Sequence, residues 1–149
     1  MIYPFYSTGH PFSNFTKCSF NVDGVNFACG EQWMMAAKAY LFDDMNIYNK
    51  ILRTSTPAQI KKLGREVENF DDEIWKTQRY GLVKKGLLEK FKQNQSFKEL
   101  LLSTGDKIIV EASPTDKIWG VGLKESNPKI YDQTQWKGLN LLGKILMEI

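Results

Sequence analysis

Residues 18–42, CSFNVDGVNFACGEQWMMAAKAYLF, carry the reading that decides the fold. Phe20, Val22, Val25 and Phe27 alternate around Asp23-Gly24, a dipeptide suited to a two-residue hairpin because both turn positions need positive φ. That register pairs Val22 with Val25 and Phe20 with Phe27. Carried further, it sets Cys18 opposite Cys29, and both read as small buried thiols in a reducing compartment, with a disulfide as the alternative. After Gly30, the stretch EQWMMAAKAYLF at 31–42 is rich in strong helix formers and apolar on nearly every side. Such a helix is expected to be buried within its domain.

Working outward, Ser55-Thr56-Pro57 supplies a capping hydroxyl with proline at the first helical position, and Gly64 stops the short helix that follows. The acids Asp71-Asp72-Glu73 suit a helix N-terminus, and the spacing predicts a long helix running to Phe91 with Trp75, Arg79 and Leu82 on one face. Gly81 and Gly86 interrupt its pattern and allow close packing against a neighbour. A short helix spans 96–102. KIIVEA then reads as a buried strand ending at Glu111, followed by the loop Ser113-Pro114-Thr115-Asp116, the segment IWGVGL, a loop at Asn127-Pro128 and a final helix within GLNLLGKILMEI. The expected fold is α+β: a predominantly helical single domain over 1–149 with a few short antiparallel strands. Neither βαβ alternation nor a Walker loop appears.

Composition agrees with one globular core. A chain of 149 residues buries roughly 70% of the surface its unfolded form exposes. The apolar fraction is 42% and the charged fraction 25%, so disorder is not expected. No apolar run approaches a membrane span and the N-terminus lacks the pattern of a secretory signal, which together predict a cytoplasmic protein with no membrane partner. The charge is 20 − 17 = +3, with Lys61-Lys62, Lys84-Lys85, Lys90 and Lys92 spread among acids. They read as solvated lysines on helix faces, with attraction of an anionic partner as the alternative. Two cysteines and one histidine are too few for a zinc site.

Several polar residues stand out against this apolar background. Glu31 and Lys38, seven residues apart on the buried helix, share nearly one face and lie about 10 Å apart along its axis. Either they snorkel at a rim or they line a cleft, since lone buried charge is strongly penalised. Glu111 ends a strand core and is delivered to a loop edge. Asp116 follows, either capping the turn after Pro114 or serving a site, with Trp119 beside it. Ser13 and Asn14 sit between Phe12 and Phe15, where an asparagine suits a base edge, a sugar hydroxyl or a simple turn. Arg65 and Arg79 are the guanidiniums suited to bidentate phosphate contact, with ion pairs as the alternative.

Taken in order, FSNF at 12–15, EQWMMAAK at 31–38, Gly64-Arg65, Trp75 with Arg79, GDKIIVEASPTDKIWGVGL at 105–123 and GLNLLGKILM at 138–147 resemble the NADAR superfamily of YbiA-like N-glycosidases. The resemblance covers almost the whole chain. It implies hydrolysis of an N-glycosidic bond in riboflavin-pathway phosphoribosylamino-pyrimidines or in ADP-ribose attached to a nucleic-acid base such as guanine. It also implies a mainly helical domain that needs no metal and no cofactor, and it admits a toxin–antidote setting. Carried over by motif, Glu31, Lys38, Glu111, Asp116 and Trp119 would lie at the active site. Asn14, Trp33, Arg65, Arg79 and Asn140 would bind substrate or support it.

The implied chemistry suits these residue types. Positive charge building at the anomeric carbon asks for a carboxylate, which Glu111 or Glu31 supplies. Lys38 would either assist the leaving base or a phosphate as an ammonium, or form a Schiff base with the opened sugar; the resemblance favours the second. Asp116 would orient ribose hydroxyls or the lysine, and Trp119 would stack on the base or wall the pocket. The rival readings are a module that binds ADP-ribose or a nucleotide without cleaving it, and a purely structural or interaction protein.

Overall fold

The computed structural model describes all residues, Met1–Ile149. They fall into two compact units: one formed by Asn14–Gln95, the other by Met1–Ser13 with Ser96–Ile149.

The first unit opens with the expected hairpin. Strands β2 (Phe20–Val22) and β3 (Val25–Phe27) pair antiparallel with Phe20 opposite Phe27 and Val22 opposite Val25. Asp23 and Gly24 both take positive φ, 51° and 90°, as a two-residue turn of this hand requires. The pairing does not extend to the cysteines. The Cys18 amide donates to Ala28, while Cys29 turns away to cap the next helix, its Sγ accepting from the Gln32 amide at 3.4 Å. Both thiols are free; Cys29 is buried and Cys18 half-buried.

Helix α1 (Gly30–Leu41) is buried at eight positions, from Gly30 through Ala39. Around it pack α2 (Met45–Leu52), α3 (Pro57–Gly64) and α4 (Asp72–Gln93). Helix α2 has no counterpart in the sequence reading. Its start is set by Asp44, whose carboxylate accepts from the Ile47 amide at 3.0 Å and from the Glu68 amide at 2.8 Å, the latter a contact 24 residues away. Helix α3 begins at Pro57, yet the Thr56 hydroxyl makes no capping bond. Asp71 caps α4 through the Glu73 and Ile74 amides. Gly86 meets the Trp33 indole so closely that a Cβ would fall 2.2 Å from Nε1, whereas Gly81 faces open space.

In the second unit, β1 (Ile2–Phe5) pairs with β4 (Ile108–Glu111), Phe5 lying opposite Glu111. This pair is parallel, not antiparallel as expected, because its two strands come from opposite ends of the chain and no hairpin links them. A core of Val110, Ala112, Val121, Leu123 and Ile130 forms beside it. Helix α5 (Gln95–Ser103) leads into β4, and α6 (Leu141–Glu148) packs on it. The Asn127-Pro128 segment is a 3₁₀ turn, Pro128–Tyr131, followed by another at Gln133–Gln135. The one histidine stacks on Phe5 and is within 3.1 Å of the Tyr3 hydroxyl, so it serves an aromatic cluster. No helix is long and apolar enough to cross a membrane.

One lysine departs from the solvated set. Lys76, Lys85 and Lys92 make exposed ion pairs, but Lys90 is fully buried, because it follows Val83 by seven residues and so shares the inward face of α4 with Leu87 and Phe91. Burial pulls its amine down to about 8 from 10.5. Below about 8 the group is charged in both folded and unfolded states and the burial cost is full; the cost is relieved as pH rises from about 8 to 10.5. Lys90→Met removes this pH-dependent cost, so the stability difference between the variant and the native protein is expected to shift in favour of the native protein as pH rises from about 8 to 10.5. Urea denaturation followed across pH checks it, and a stability difference that does not change with pH above about 8 would show that burial does not depress the amine.

Candidate active site

In the helical unit, the start of α1 is tied down by the segment before the hairpin. The Glu31 amide donates to the Asn14 carbonyl at 2.9 Å, and Gly30 lies so close to Asn14 that a Cβ there would sit 2.4 Å from Oδ1. Asn14 is buried and its side-chain Oδ1 is an acceptor shielded from water with no hydrogen-bond partner. Glu31 is buried as well.

Two turns on, the Lys38 Nζ donates to the Gly64 carbonyl at 2.8 Å and lies 4.5 Å from the centre of the Phe70 ring. Partial burial lowers the Lys38 pKa; Glu31 raises it, Arg65 lowers it and Asp72 raises it. Burial dominates, so the free amine is reached at lower pH than for an exposed lysine. Glu31, Lys38 and the end of α3 thus form one electrostatic group.

Two features of this group were not foreseen. The Gly64 carbonyl reaches Lys38 because Gly64 packs bare against Met35: a Cβ at Gly64 would fall 1.9 Å from Met35 Sδ. Phe70, 42% exposed, is held edge-on by Phe42 with ring centres 5.3 Å apart. An exposed aromatic after a loop carries no periodic signal, which is why the sequence did not mark it.

Trp33 is on the other side of α1. Two residues from Glu31 is about 200° around a helix. Its indole donates to the Leu82 carbonyl at 2.9 Å, and it lines a cleft of about 510 Å³ with Phe27, Tyr40 and Tyr48. It is not gathered with Glu31 and Lys38. Arg65 follows Gly64 and is exposed. Arg79 is 8% exposed, shares the buried side of α4 with Trp75, and has neither an ion pair nor a hydrogen bond to the protein. None of its nitrogens is among the buried polar atoms that lack a partner, so the stem of Arg79 is buried while the guanidinium still reaches water.

In the other unit, Glu111 ends β4 half-buried, with its carbonyl accepting from the Val121 amide at 3.0 Å. Asp116 does cap its turn: Oδ1 accepts from both the Ile118 and Trp119 amides at 2.9 Å, leaving its second oxygen outside those bonds. Trp119 is 8% exposed, enough for a wall and too little for a broad stacking face. Asn140 spends its amide on β4, accepting from the Glu111 amide at 3.1 Å and donating to the Ile109 carbonyl at 3.0 Å. No group of histidine, cysteine and carboxylate side chains has the arrangement of a metal site.

The known proteins that this chain is similar to agree with one another. An N-glycosidase of Acanthamoeba polyphaga mimivirus is 45% identical over 145 residues, covering 94% of this chain and 85% of that protein. The riboflavin biosynthesis protein VVA0006 of Vibrio vulnificus is 33% identical over 137 residues, 92% of this chain and 34% of that longer protein. The NMR structure of Escherichia coli YbiA, itself named an N-glycosidase, matches with a TM-score of 0.81 at 31% identity, over 99% of this chain and 82% of that one. Fold and relatives together define the class as an N-glycosidase, a hydrolase acting on N-glycosyl bonds. The chain belongs to the NADAR domain family, whose model matches residues 4–149.

The Gly64–Met35 contact gives a direct test of how Lys38 is held. Gly64→Ala is expected to cost about 1–3 kcal/mol through overpacking, and Met35→Ala in the same chain should recover part of it in urea denaturation. Equal stability of Gly64→Ala and the native protein would show that α3 does not need this close approach.

Proposed function

We propose that the chain hydrolyses the N-glycosidic bond between a nitrogenous base and a phosphorylated or ADP-ribosylated ribose, with residues 1–149 acting as one NADAR domain. The observation that carries the reading is the state of Lys38. Its amine is half withdrawn from water, lowered in pKa and hydrogen-bonded to a neutral carbonyl, which are the conditions under which a lysine acts as a nucleophile. The unpaired Arg79 supports a substrate that carries phosphate.

In the proposed reaction the base leaves the anomeric carbon as positive charge develops there, and the Glu111 carboxylate stabilises that charge. The Lys38 amine bonds to the same carbon, and the departing nitrogen takes up a proton. Opening of the sugar ring makes the lysine adduct an imine. Water then adds to the imine carbon and the carbon–nitrogen bond breaks, releasing the sugar and restoring the amine. Glu31 acts as a counter-charge that partly offsets the lowering of the Lys38 pKa by burial. The free oxygen of Asp116 orients ribose hydroxyls, Trp119 walls the pocket, and Asn14 Oδ1 accepts from the base or sugar. Arg65 and Arg79 hold phosphate.

Two substrate classes fit this chemistry: phosphoribosylamino-pyrimidines, supported by the riboflavin biosynthesis name of the Vibrio relative, and ADP-ribosylated guanine in a nucleic acid. Turnover of each, read as released base or sugar by mass spectrometry, separates them; binding of both without product would instead make the protein a reader. Lys38→Ala and Glu111→Gln are each expected to lower turnover at least about a hundredfold. Borohydride during turnover should trap an adduct on Lys38, in a yield that rises as pH climbs toward its lowered pKa. Trapping that persists in Lys38→Ala would overturn the Schiff base. Arg79→Ala should raise KM for phosphorylated substrate by about tenfold or more, and an unchanged KM would remove Arg79 from the binding set.

A further inference from the structure

Helix α6 starts without a side-chain cap, although an asparagine occupies its N-cap position. The reason lies in the loop before it. A helix start leaves backbone amides without intrahelical partners, and here carbonyls of the loop 117–120 take them. Leu139 donates to Lys117, Leu141 to Ile118, Leu142 to Trp119 and Asn140 to Gly120, at 2.8–3.1 Å. With the helix start satisfied by backbone, the Asn140 side chain is released from capping.

It turns instead to β4. Oδ1 accepts from the Glu111 amide and Nδ2 donates to the Ile109 carbonyl, so one planar amide bridges two residues on the same side of the strand. Reaching that position requires φ of 54°, in the left-handed region that asparagine tolerates better than most residues. Gly143, one turn on, leaves the room: a Cβ there would strike the Ile109 carbonyl at 2.1 Å and the Asn140 amide at 2.5 Å. Asn140 itself is 1% exposed. Its donor and acceptor groups are engaged within the protein, which makes it a poor candidate for touching substrate.

We propose that Asn140 is a positioning residue for the reaction: it locks the end of β4, and with it the Glu111 carboxylate, in register with the loop that carries Asp116 and Trp119. The backbone of Asn140 holds that loop at Gly120 while its side chain holds Glu111, so one residue sets the spacing of the two carboxylates. This inference rests on Glu111 acting as proposed above.

The test uses the full chain and three variants. Asn140→Gly keeps the left-handed backbone and removes both side-chain bonds. Asn140→Asp keeps the acceptor for Glu111 and removes the donor to Ile109. Glu111→Gln reports on the underlying reading. For Asn140→Gly, kcat is expected to fall on the order of a hundredfold, as for a catalytic group displaced by about an ångström, with KM within about twofold. Asn140→Asp should lie between that variant and the native enzyme. Hydrogen exchange at the Glu111 amide, measured without substrate, should accelerate in Asn140→Gly while amides in the middle of α4 stay protected. A rise in KM at constant kcat would show that Asn140 binds substrate and overturn the proposal. So would unchanged Glu111 exchange, or loss of activity only in proportion to loss of folded protein. Native-like turnover of Glu111→Gln would instead remove the role of Glu111, while the exchange result would still report whether Asn140 holds the strand.

Discussion

Burial of α1 on most of its faces is the constraint around which the helical unit is arranged. A helix enclosed by a hairpin and three other helices has little surface left for polar groups, so each one it carries must be matched where it lies. Cys29 and the Asn14 carbonyl receive the first amides, the Gln32 amide bridges to the Ile51 and Thr54 carbonyls, and the Trp33 indole finds Leu82. Lys38 is met by the Gly64 carbonyl and the Phe70 ring. The same enclosure that stabilises the helix through its alanines and methionines therefore lowers the pKa of its lysine. Packing and chemistry have one cause.

The other unit solves a related problem with backbone. Its loop 117–120 and the start of α6 exchange carbonyls and amides directly, which frees polar side chains on both sides for other work. Asp116 gives one carboxylate oxygen to its own turn and keeps the other, and Asn140 gives its whole amide to β4. Glycines make these approaches feasible: a Cβ at Gly138 would fall 2.3 Å from the Gly120 carbonyl, and one at Gly120 would fall 2.9 Å from the Glu111 carbonyl. The glycine-rich character of this stretch is thus a packing requirement of the loop against its neighbours.

Much of the secondary structure was legible because its signals are local. The alternation of Phe20, Val22, Val25 and Phe27 about Asp-Gly predicts the hairpin register, and the acids at 71–73 predict the start of the long helix. The elements that were missed depend on distant partners. Strand β1 is four residues long and exists by pairing with β4 from the far end of the chain. Helix α2 is anchored by a carboxylate shared with the Glu68 amide. Lys90 looks like any helix lysine until the inward face of α4 is known, and Phe70 looks like any loop aromatic.

For the site, residue type and order in the sequence were enough to nominate Glu31, Lys38, Glu111, Asp116 and Trp119, because chemistry is carried by side-chain identity and the family motif preserves order. What each residue can do depends on the groups that surround it. Only tertiary structure set the Trp33 indole on the Leu82 carbonyl, buried the stem of Arg79, committed one oxygen of the Asp116 carboxylate to its turn and spent the Asn140 amide on the Glu111 strand. Hydrogen bonds and desolvation act over a few ångströms in space, and the sequence lists neighbours along the chain.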